Sequence, residues 1–161
     1  MESTDVLVIG SGIAGLCAAI EAARAGAAVT VASAGKTMSG SSFFPGTWGL
    51  GLIGPVDEGD EQDLIDTIQA VGGGVADPEL VQTFVHGIPQ AIDWLEQDLG
   101  VELQRPQSAE SAQLKQFIPC FDHKTRMWRG LIRKPLEDAL TTQIESLGIR
   151  LLPRHELIDL V

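Results

Sequence analysis

The sequence is poor in basic residues and in cysteine. Its 161 residues include 11 Lys and Arg against 22 Asp and Glu, which gives a formal net charge of −11. Non-specific binding to nucleic acid or to an anionic membrane surface needs an excess of cationic side chains, so the charge argues against both classes of partner. The two cysteines, Cys17 and Cys120, show no spacing typical of a metal site or a disulfide framework. We expect a cytoplasmic protein with reduced thiols and no bound metal.

The sequence also lacks a hydrophobic segment long enough to cross a bilayer. The first apolar run, from Val6 to Ile20, is interrupted by glycines and ends at Glu21, whereas a spanning helix needs about 20 apolar residues. Glu2 and Asp5 precede this run, where a signal peptide carries basic residues. Because 44% of the residues are hydrophobic and 20% are charged, the composition is that of a folded globular domain.

The amino-terminal segment has the pattern of a βαβ unit. Residues 6–9 form an unbroken apolar run, which predicts a parallel strand covered on both faces. Residues 16–25 favour a helix that Gly26 ends, and residues 28–32 predict a second strand. This succession, with a glycine-rich turn after the first strand, predicts a Rossmann-like α/β fold with a parallel sheet.

The turn after the first strand has the spacing Gly-x-Gly-x-x-Gly at residues 10–15. Gly10 permits the tight turn, Gly12 lets the backbone approach a pyrophosphate, and Gly15 lets the helix pack against the strand. The pyrophosphate would lie on free N–H groups at the amino end of the helix. A glycine turn with only a packing role is the alternative, but the strand before it and the helix after it favour nucleotide binding. Ser33 stands where an acid usually binds the adenosine ribose; an incidental loop serine is the other interpretation.

The rest of the chain predicts a helical excursion and a return to the sheet. An acidic stretch opens a helix that ends at the glycines 72–74, and Asp77 caps a second helix that Pro89 should kink or divide. A last helix begins at about Pro135 and stops at Gly148, and residues 149–152 and 157–161 read as strand segments. Because the chain ends within a strand pattern, we expect residues 1–161 to be the amino-terminal part of an incomplete domain. Its expected segments are a βαβ unit with a loop (1–56), the helical excursion (57–124) and the return helix and strand (125–161).

Three segments resemble the succinate dehydrogenase, fumarate reductase and L-aspartate oxidase flavoprotein family. Residues 5–16, Asp-Val-Leu-Val-Ile-Gly-Ser-Gly-Ile-Ala-Gly-Leu, look like the opening of these proteins. Residues 39–44, Ser-Gly-Ser-Ser-Phe-Phe, are similar to the Gly-Ser-Ser/Thr segment that they wrap around FAD. Residues 92–101 resemble a helical stretch with a Trp-Leu…Gly-Val pattern. The resemblance implies an FAD-binding fold and hydride transfer between flavin N5 and a small organic acid or similar substrate.

Carried over by position, the resemblance implies a set of cofactor-binding residues. The glycine turn would face the pyrophosphate, Ser33 and Ala34 would lie along the ribose, and the backbone of Leu157 would meet the adenine. The serine loop and the residues after it would lead toward the flavin ring. The set is Gly10, Ser11, Gly12, Ile13, Ala14, Gly15, Ser33, Ala34, Ser41, Ser42, Gly46, Thr47 and Leu157.

Two departures from the family pattern bear on the flavin. Succinate dehydrogenases attach FAD covalently through a histidine, but residues 39–49 contain none, so we expect non-covalent FAD. Residues 45–49 also differ from the Ala-x-Gly-Gly commonly found there.

No residue of the chain is assigned to catalysis. In the family, the substrate-binding and proton-donating residues and half of the FAD site lie beyond the position of residue 161, so we expect this segment alone to bind FAD weakly or not at all and to be inactive. His86, His123 and His155 are interpreted as structural or exposed. The basic residues of segment 124–134 are interpreted as a solvated face that pairs with acids; the alternative is a patch that draws in a dicarboxylate substrate or the cofactor phosphates.

Three functions stay open from the sequence. The first is the amino-terminal FAD-binding segment of a flavin-dependent oxidoreductase, for which an electron-transfer partner or a missing carboxy-terminal part is expected. The second is an NAD-binding Rossmann module, and the third is a non-catalytic flavin-binding subunit. The substrate, the electron acceptor and the oligomeric state are not determined by these residues.

Overall fold

The computed structural model describes residues 3–44, 51–107, 124 and 126–159, and the chain divides into two compact units. Residues 1–48 and 133–161 belong to the first unit, and residues 49–132 belong to the second. A one-turn 3-10 helix at Ser41–Phe43 and a π-helix at Trp94–Asp98 accompany the regular elements. These elements are β1 (Val6–Ile9), α1 (Ile13–Arg24), β2 (Val29–Ser33), β3 (Leu52–Gly54), α2 (Glu58–Val71), α3 (Pro78–Asp93), β4 (Met127–Arg129), α4 (Arg133–Ser146) and β5 (Arg150–Pro153).

The first unit is a parallel sheet in the order β1-β2-β5, with α1 packed on β1 and β2 and with α4 packed against α1. The sheet pairs Val6 with Val29 and Ser33 with Pro153, so the carboxyl ends of β1, β2 and β5 lie at one edge. The predicted parallel α/β fold is confirmed. Its core is apolar and fully or nearly fully buried, and consists of Leu16, Ala19, Ile20, Val29, Val31, Leu136, Leu140 and Ile144.

The first two strands, β1 and β2, differ in how deeply their side chains are buried. All five residues of β2 are buried, as the continuous apolar pattern predicted. On β1, however, Leu7 and Ile9 are 46% and 51% exposed. The expectation of coverage on both faces is wrong for β1, because β1 lies at the edge of the three-stranded sheet and the described residues cover only one of its faces.

The structure confirms a predicted helix end in each unit. Gly26, with a φ of +93°, follows α1, and its N–H donates to the Ala23 carbonyl. Asp77 caps α3, and its carboxylate accepts from the N–H groups of Glu79 and Leu80 at 2.9 and 3.1 Å. Of the two predicted effects of Pro89, a kink or a division of the helix, the division does not occur, because α3 continues to Asp93. Burial of Val85 and Ile88 on the turn before Pro89 stabilises the helix there, whereas proline removes only one donor.

The second unit combines the antiparallel pair β3–β4 with α2 and α3. Its core cluster consists of Leu64, Ile65, Val81, Val85 and Ile88, with Met127 of β4 packed against it. Arg126, just before β4, is 1% exposed and donates to Asp60 and Asp63 of α2. Trp128 is 3% exposed, as expected of a core tryptophan.

Acidic partners hold four of the five basic residues of segment 124–134, and Arg129 instead donates to the Trp128 carbonyl. Lys124 pairs with Asp63 in the second unit, while Arg133 and Lys134 pair with acids one turn later on α4. This pairing supports the interpretation of a neutralised face over that of a free cationic patch. None of the helices in the described ranges is both long and apolar enough to cross a membrane.

Candidate functional site

The candidate site is a groove of about 650 Å³ in the first unit, at the carboxyl edge of the parallel sheet. The glycine turn, the end of β2, the serine loop and the segment after β5 form its walls. Crevices at this edge are where open α/β sheets bind ligands. Ten of the predicted residues line the groove: Gly10, Ser11, Gly12, Ile13, Ala14, Ser33, Ala34, Ser41, Ser42 and Leu157.

The glycine turn is built by the close approach of α1 to the end of β1. Gly10 has a φ of +104°, a conformation that favours glycine, and its N–H donates to the Ala32 carbonyl at 2.7 Å, which continues the β1–β2 pairing into the turn. A β-carbon on Gly15 would stand 2.1 Å from the carbonyl oxygen of Gly10. Gly15 therefore serves the packing of α1, and it does not line the groove.

The amino end of α1 faces the groove with its backbone donors uncapped. Helix geometry leaves the first N–H groups without intrahelical acceptors, and the N-cap residue Gly12 has no side chain to accept from them. Ile13 and Ala14 begin the helix and line the groove. No Lys or Arg is among the groove-lining residues in the described ranges. An anion here would meet amides and the positive end of the helix dipole rather than cationic side chains.

Ser11 contributes to the groove in a way that the motif does not reveal. Its side chain is 3% exposed, and its hydroxyl donates to the Lys36 carbonyl at 3.4 Å. This long hydrogen bond connects the glycine turn to the loop that follows β2. The hydroxyl of Ser11 thus helps to hold the wall of the groove in place.

The segment after β5 runs beside the end of β2 and closes one side of the groove. The N–H of His155 donates to the Ser33 carbonyl, and the N–H of Arg154 donates to the Gly35 carbonyl, both at 2.9 Å. His155, Glu156 and Leu157 line the groove as a result. The Nδ1 atom of His155 lies 2.9 Å from the Pro153 carbonyl oxygen, which orients the ring.

Sequence reasoning missed His155 and Glu156 as groove residues. The strand at residues 149–152 was predicted, but the sequence did not indicate which strand it would pair with. Pairing β5 with β2 would have placed the residues after β5 at the carboxyl edge, next to Ser33. Ile9, Gly35, Ser39 and Gly40 also line the groove.

Some of the predicted residues lie elsewhere. Gly46, Thr47 and His123 fall outside the described residues. His86 belongs to the second unit, where its Nε2 lies 3.6 Å from a carboxylate oxygen of Glu61, in keeping with a structural histidine.

Neither metal ligands nor a reactive thiol are found in the described part of the chain. No group of three or more His, Cys, Asp or Glu side chains there could hold a metal ion. Burial raises the pKa of the Cys17 thiol, and the nearby carboxylate of Glu21 adds to this rise. Cys17 of α1 therefore stays protonated, which suits a packing role better than nucleophilic chemistry.

Comparison with known proteins matches nearly the whole chain, including the segments that form the groove, to one family. Residues 5–161 match the family described as FAD binding domain. L-aspartate oxidase from Halobacterium salinarum is 43% identical over 100 residues, which are 62% of this chain and 19% of that protein. Vinyl phenol reductase from Lactiplantibacillus plantarum is 27% identical, with 99% of this chain and 31% of that protein aligned.

A solved structure agrees with these relatives. The open conformation of a flavocytochrome c3 fumarate reductase matches with a TM-score of 0.70 and 25% identity, over 99% of this chain and 28% of that chain. The chain therefore spans about a fifth to a third of the length of the proteins that it matches.

Proposed function

Because the chain belongs to the FAD binding domain family, we propose that it is the amino-terminal FAD-binding segment of a flavin-dependent oxidoreductase. The observation that carries the proposal is the uncapped amino end of α1, which opens onto the groove at the carboxyl edge of the sheet. Backbone amides in this position are suited to the FAD diphosphate, and a groove of about 650 Å³ is within the usual size range of ligand sites.

Each part of the groove has a role in this proposal. The amides of Gly12, Ile13 and Ala14 bind the diphosphate, while Gly10 and Gly15 shape the turn. Ser33 and Ala34 lie along the adenosine ribose, and the backbone of Leu157 meets the adenine. Ser41 and Ser42, followed by Gly46 and Thr47, lead toward the flavin ring. Hydroxyls and backbone amides suit this last segment because a flavin presents carbonyls and ring nitrogens that need hydrogen-bond partners.

FAD supplies the redox chemistry at its N5 atom, where a hydride is exchanged with the substrate. Binding is non-covalent in this proposal, since the sequence has no histidine in residues 39–49 through which FAD could be attached. The chain's own residues hold the cofactor and shield its adenosine end, and no residue among 1–161 is assigned to the reaction.

The proposed substrate class is a small organic acid or a similar molecule. The names of L-aspartate oxidase and fumarate reductase point to dicarboxylates, whereas vinyl phenol reductase names a substrate without a carboxylate. A dicarboxylate is therefore one member of the proposed class. An electron-transfer partner and a cytoplasmic location complete the proposal.

Titration of the ¹⁵N-labelled chain with FAD, followed by NMR, tests this function. We expect weak but saturable binding, with shifts of the amide signals of Gly12, Ile13 and Ala14. NAD⁺ shares the adenosine diphosphate part, so it serves as the competitor, and we expect it to bind more weakly than FAD. Saturable binding of FAD that leaves these amides unshifted, or tighter binding of NAD⁺ than of FAD, would overturn the proposal.

A further inference from the structure

The carboxyl end of β2 carries no acid at the place where a ribose would lie. Ser33, Ala34 and Gly35 follow one another there, and Ser33 is only 7% exposed. A neutral hydroxyl is a weaker partner for ribose hydroxyls than a carboxylate, whose hydrogen bonds are roughly twice as strong. Among the described residues that line the groove, however, Glu156 is the one with an acidic side chain.

We propose that Glu156 recognises the ribose hydroxyls of the adenosine portion of the cofactor, in place of the acid that β2 lacks. This inference rests on the proposed function, because it assigns a specificity-determining residue to the same groove. It differs from the expectation that only the end of β2 and the backbone of Leu157 bind adenosine.

Two backbone hydrogen bonds place Glu156 beside the end of β2. Arg154 donates to Gly35 and His155 donates to Ser33, both at 2.9 Å. These bonds hold the segment after β5 against the carboxyl end of β2. Glu156 is the next residue along the chain, and it lines the groove together with Ser33 and Ala34.

The carboxylate of Glu156 is available for a ligand. Glu156 is exposed, and within the described residues no hydrogen bond or ion pair engages it. The adjacent imidazole of His155 is instead directed to the Pro153 carbonyl. A carboxylate can accept hydrogen bonds from two neighbouring hydroxyls, which matches the vicinal pair of a ribose.

Different elements would meet the diphosphate and the ribose in this proposal. Arg154 and His155 donate to Gly35 and Ser33, respectively, at the carboxyl end of β2. The uncapped amides of Gly12 and Ile13 lie at the start of α1. The negative charge of Glu156 thus accompanies the sugar, and the anion lies on the helix amino end. A ligand with a free ribose next to a diphosphate satisfies both sets of groups.

ADP is the appropriate probe, since it contains the parts of FAD that these residues contact and needs no flavin-binding groups. We would measure by NMR titration the affinities of the full chain for ADP, 2′-deoxy-ADP and 3′-deoxy-ADP. The variant is Glu156→Gln, which keeps the size and loses the charge. The matched control is Glu145→Gln, an exposed glutamate of α4 in the same unit. Thermal unfolding of each variant verifies that the fold is kept.

We expect the unsubstituted chain and the Glu145→Gln control to bind ADP about tenfold more tightly than at least one deoxy analogue. In Glu156→Gln this preference falls to about threefold or less. Equal discrimination by Glu156→Gln and the unsubstituted chain overturns the role of Glu156 and leaves the proposed function intact. Equal affinity of the unsubstituted chain for ADP and both deoxy analogues also overturns the role of Glu156 and leaves the proposed function intact. Failure of ADP to bind the chain at all overturns both proposals together.

Discussion

Gly15 lies against the carbonyl oxygen of Gly10, so closely that a β-carbon at position 15 would stand 2.1 Å from that oxygen. The contact joins the start of α1 to the end of β1. A β-carbon on Gly12, by comparison, would meet only the Ser39 carbonyl oxygen at 3.5 Å, which is an ordinary contact. Glycines of one motif therefore have two different roles. Gly15 is needed for the packing of α1 against β1, whereas Gly12 leaves space for a ligand to approach the backbone.

Gly15→Ala is expected to destabilise the first unit, because the methyl group forces α1 away from the glycine turn. Overpacking of this kind costs about 1–3 kcal/mol, and the obstacle here is rigid backbone. Chemical denaturation measures the loss in the free energy of unfolding. The control is Gly87→Ala in α3, where a β-carbon meets nothing within 4 Å and alanine should add about 0.5–1 kcal/mol of stability. Equal stability of the Gly15→Ala variant and the unsubstituted chain would contradict the packing role.

Gly12→Ala is expected to fold normally and to bind FAD less tightly. Gly12 has a φ of −72°, which alanine adopts readily, so the free energy of unfolding should change by less than about 1 kcal/mol. The added methyl group lies where the diphosphate must approach the backbone, and we expect at least about a tenfold loss of FAD affinity. Parallel NMR titrations of the Gly12→Ala and Gly87→Ala variants test this. Undiminished affinity in Gly12→Ala would show that the turn does not contact the ligand.

Arg126→Met is expected to destabilise the second unit. Arg126 is 1% exposed and donates to Asp60, Asp63 and Thr67 of α2. Methionine fills similar space but leaves two carboxylates without their common partner, a change that costs about 3 kcal/mol when such a pair is buried. The solvent contact of both carboxylates reduces this figure.

Arg105→Met provides the matched control for Arg126→Met. Arg105 pairs with Glu96 in the same unit, but its side chain is about half exposed, and surface pairs contribute at most about 1 kcal/mol. Urea unfolding should therefore show a larger loss in the free energy of unfolding for Arg126→Met than for Arg105→Met. A smaller loss for Arg126→Met than for Arg105→Met would contradict the structural role of the buried guanidinium.

The ion pairs of Asp63 with Lys124 and Arg126 predict a loss of stability in acid. Hydrogen bonds from Lys124, and then from Arg126, lower the pKa of Asp63. A carboxyl group whose pKa is lower in the folded state stabilises the fold at pH values above its unfolded pKa of about 3.9. That contribution is lost as the pH falls from this value through the lowered pKa. Unfolding curves between about pH 6 and pH 2 should therefore be less pH-dependent in Asp63→Asn than in the unsubstituted chain. Equal slopes would contradict the assignment.

Local chemistry determined much of the fold from the sequence alone. The βαβ unit, the Asp77 cap, the helix end at Gly26 and the core position of Trp128 depend on residues close in the chain or on apolar character. The groove residues of the glycine turn followed from the same kind of signal, since Gly10 to Ala14 lie within one short segment. The predicted segment boundaries at 56 and 124, and the roles of the individual groove residues, stay predictions.

Only the tertiary structure decided which distant residues share the groove. The pairing of β5 with β2 joins segments more than a hundred residues apart, and no local pattern specifies such a neighbour. It brings Glu156 and Ser33 into the same groove. The same applies to Pro89 and to the exposed Leu7, because burial on the remaining turns of a helix and the position of a strand in its sheet are properties of the assembled chain. The packing of Gly15 against the end of β1, by contrast, was already predicted by the spacing of the motif. The sequence determines which backbone conformations are favourable; the packing of the elements determines which atoms meet.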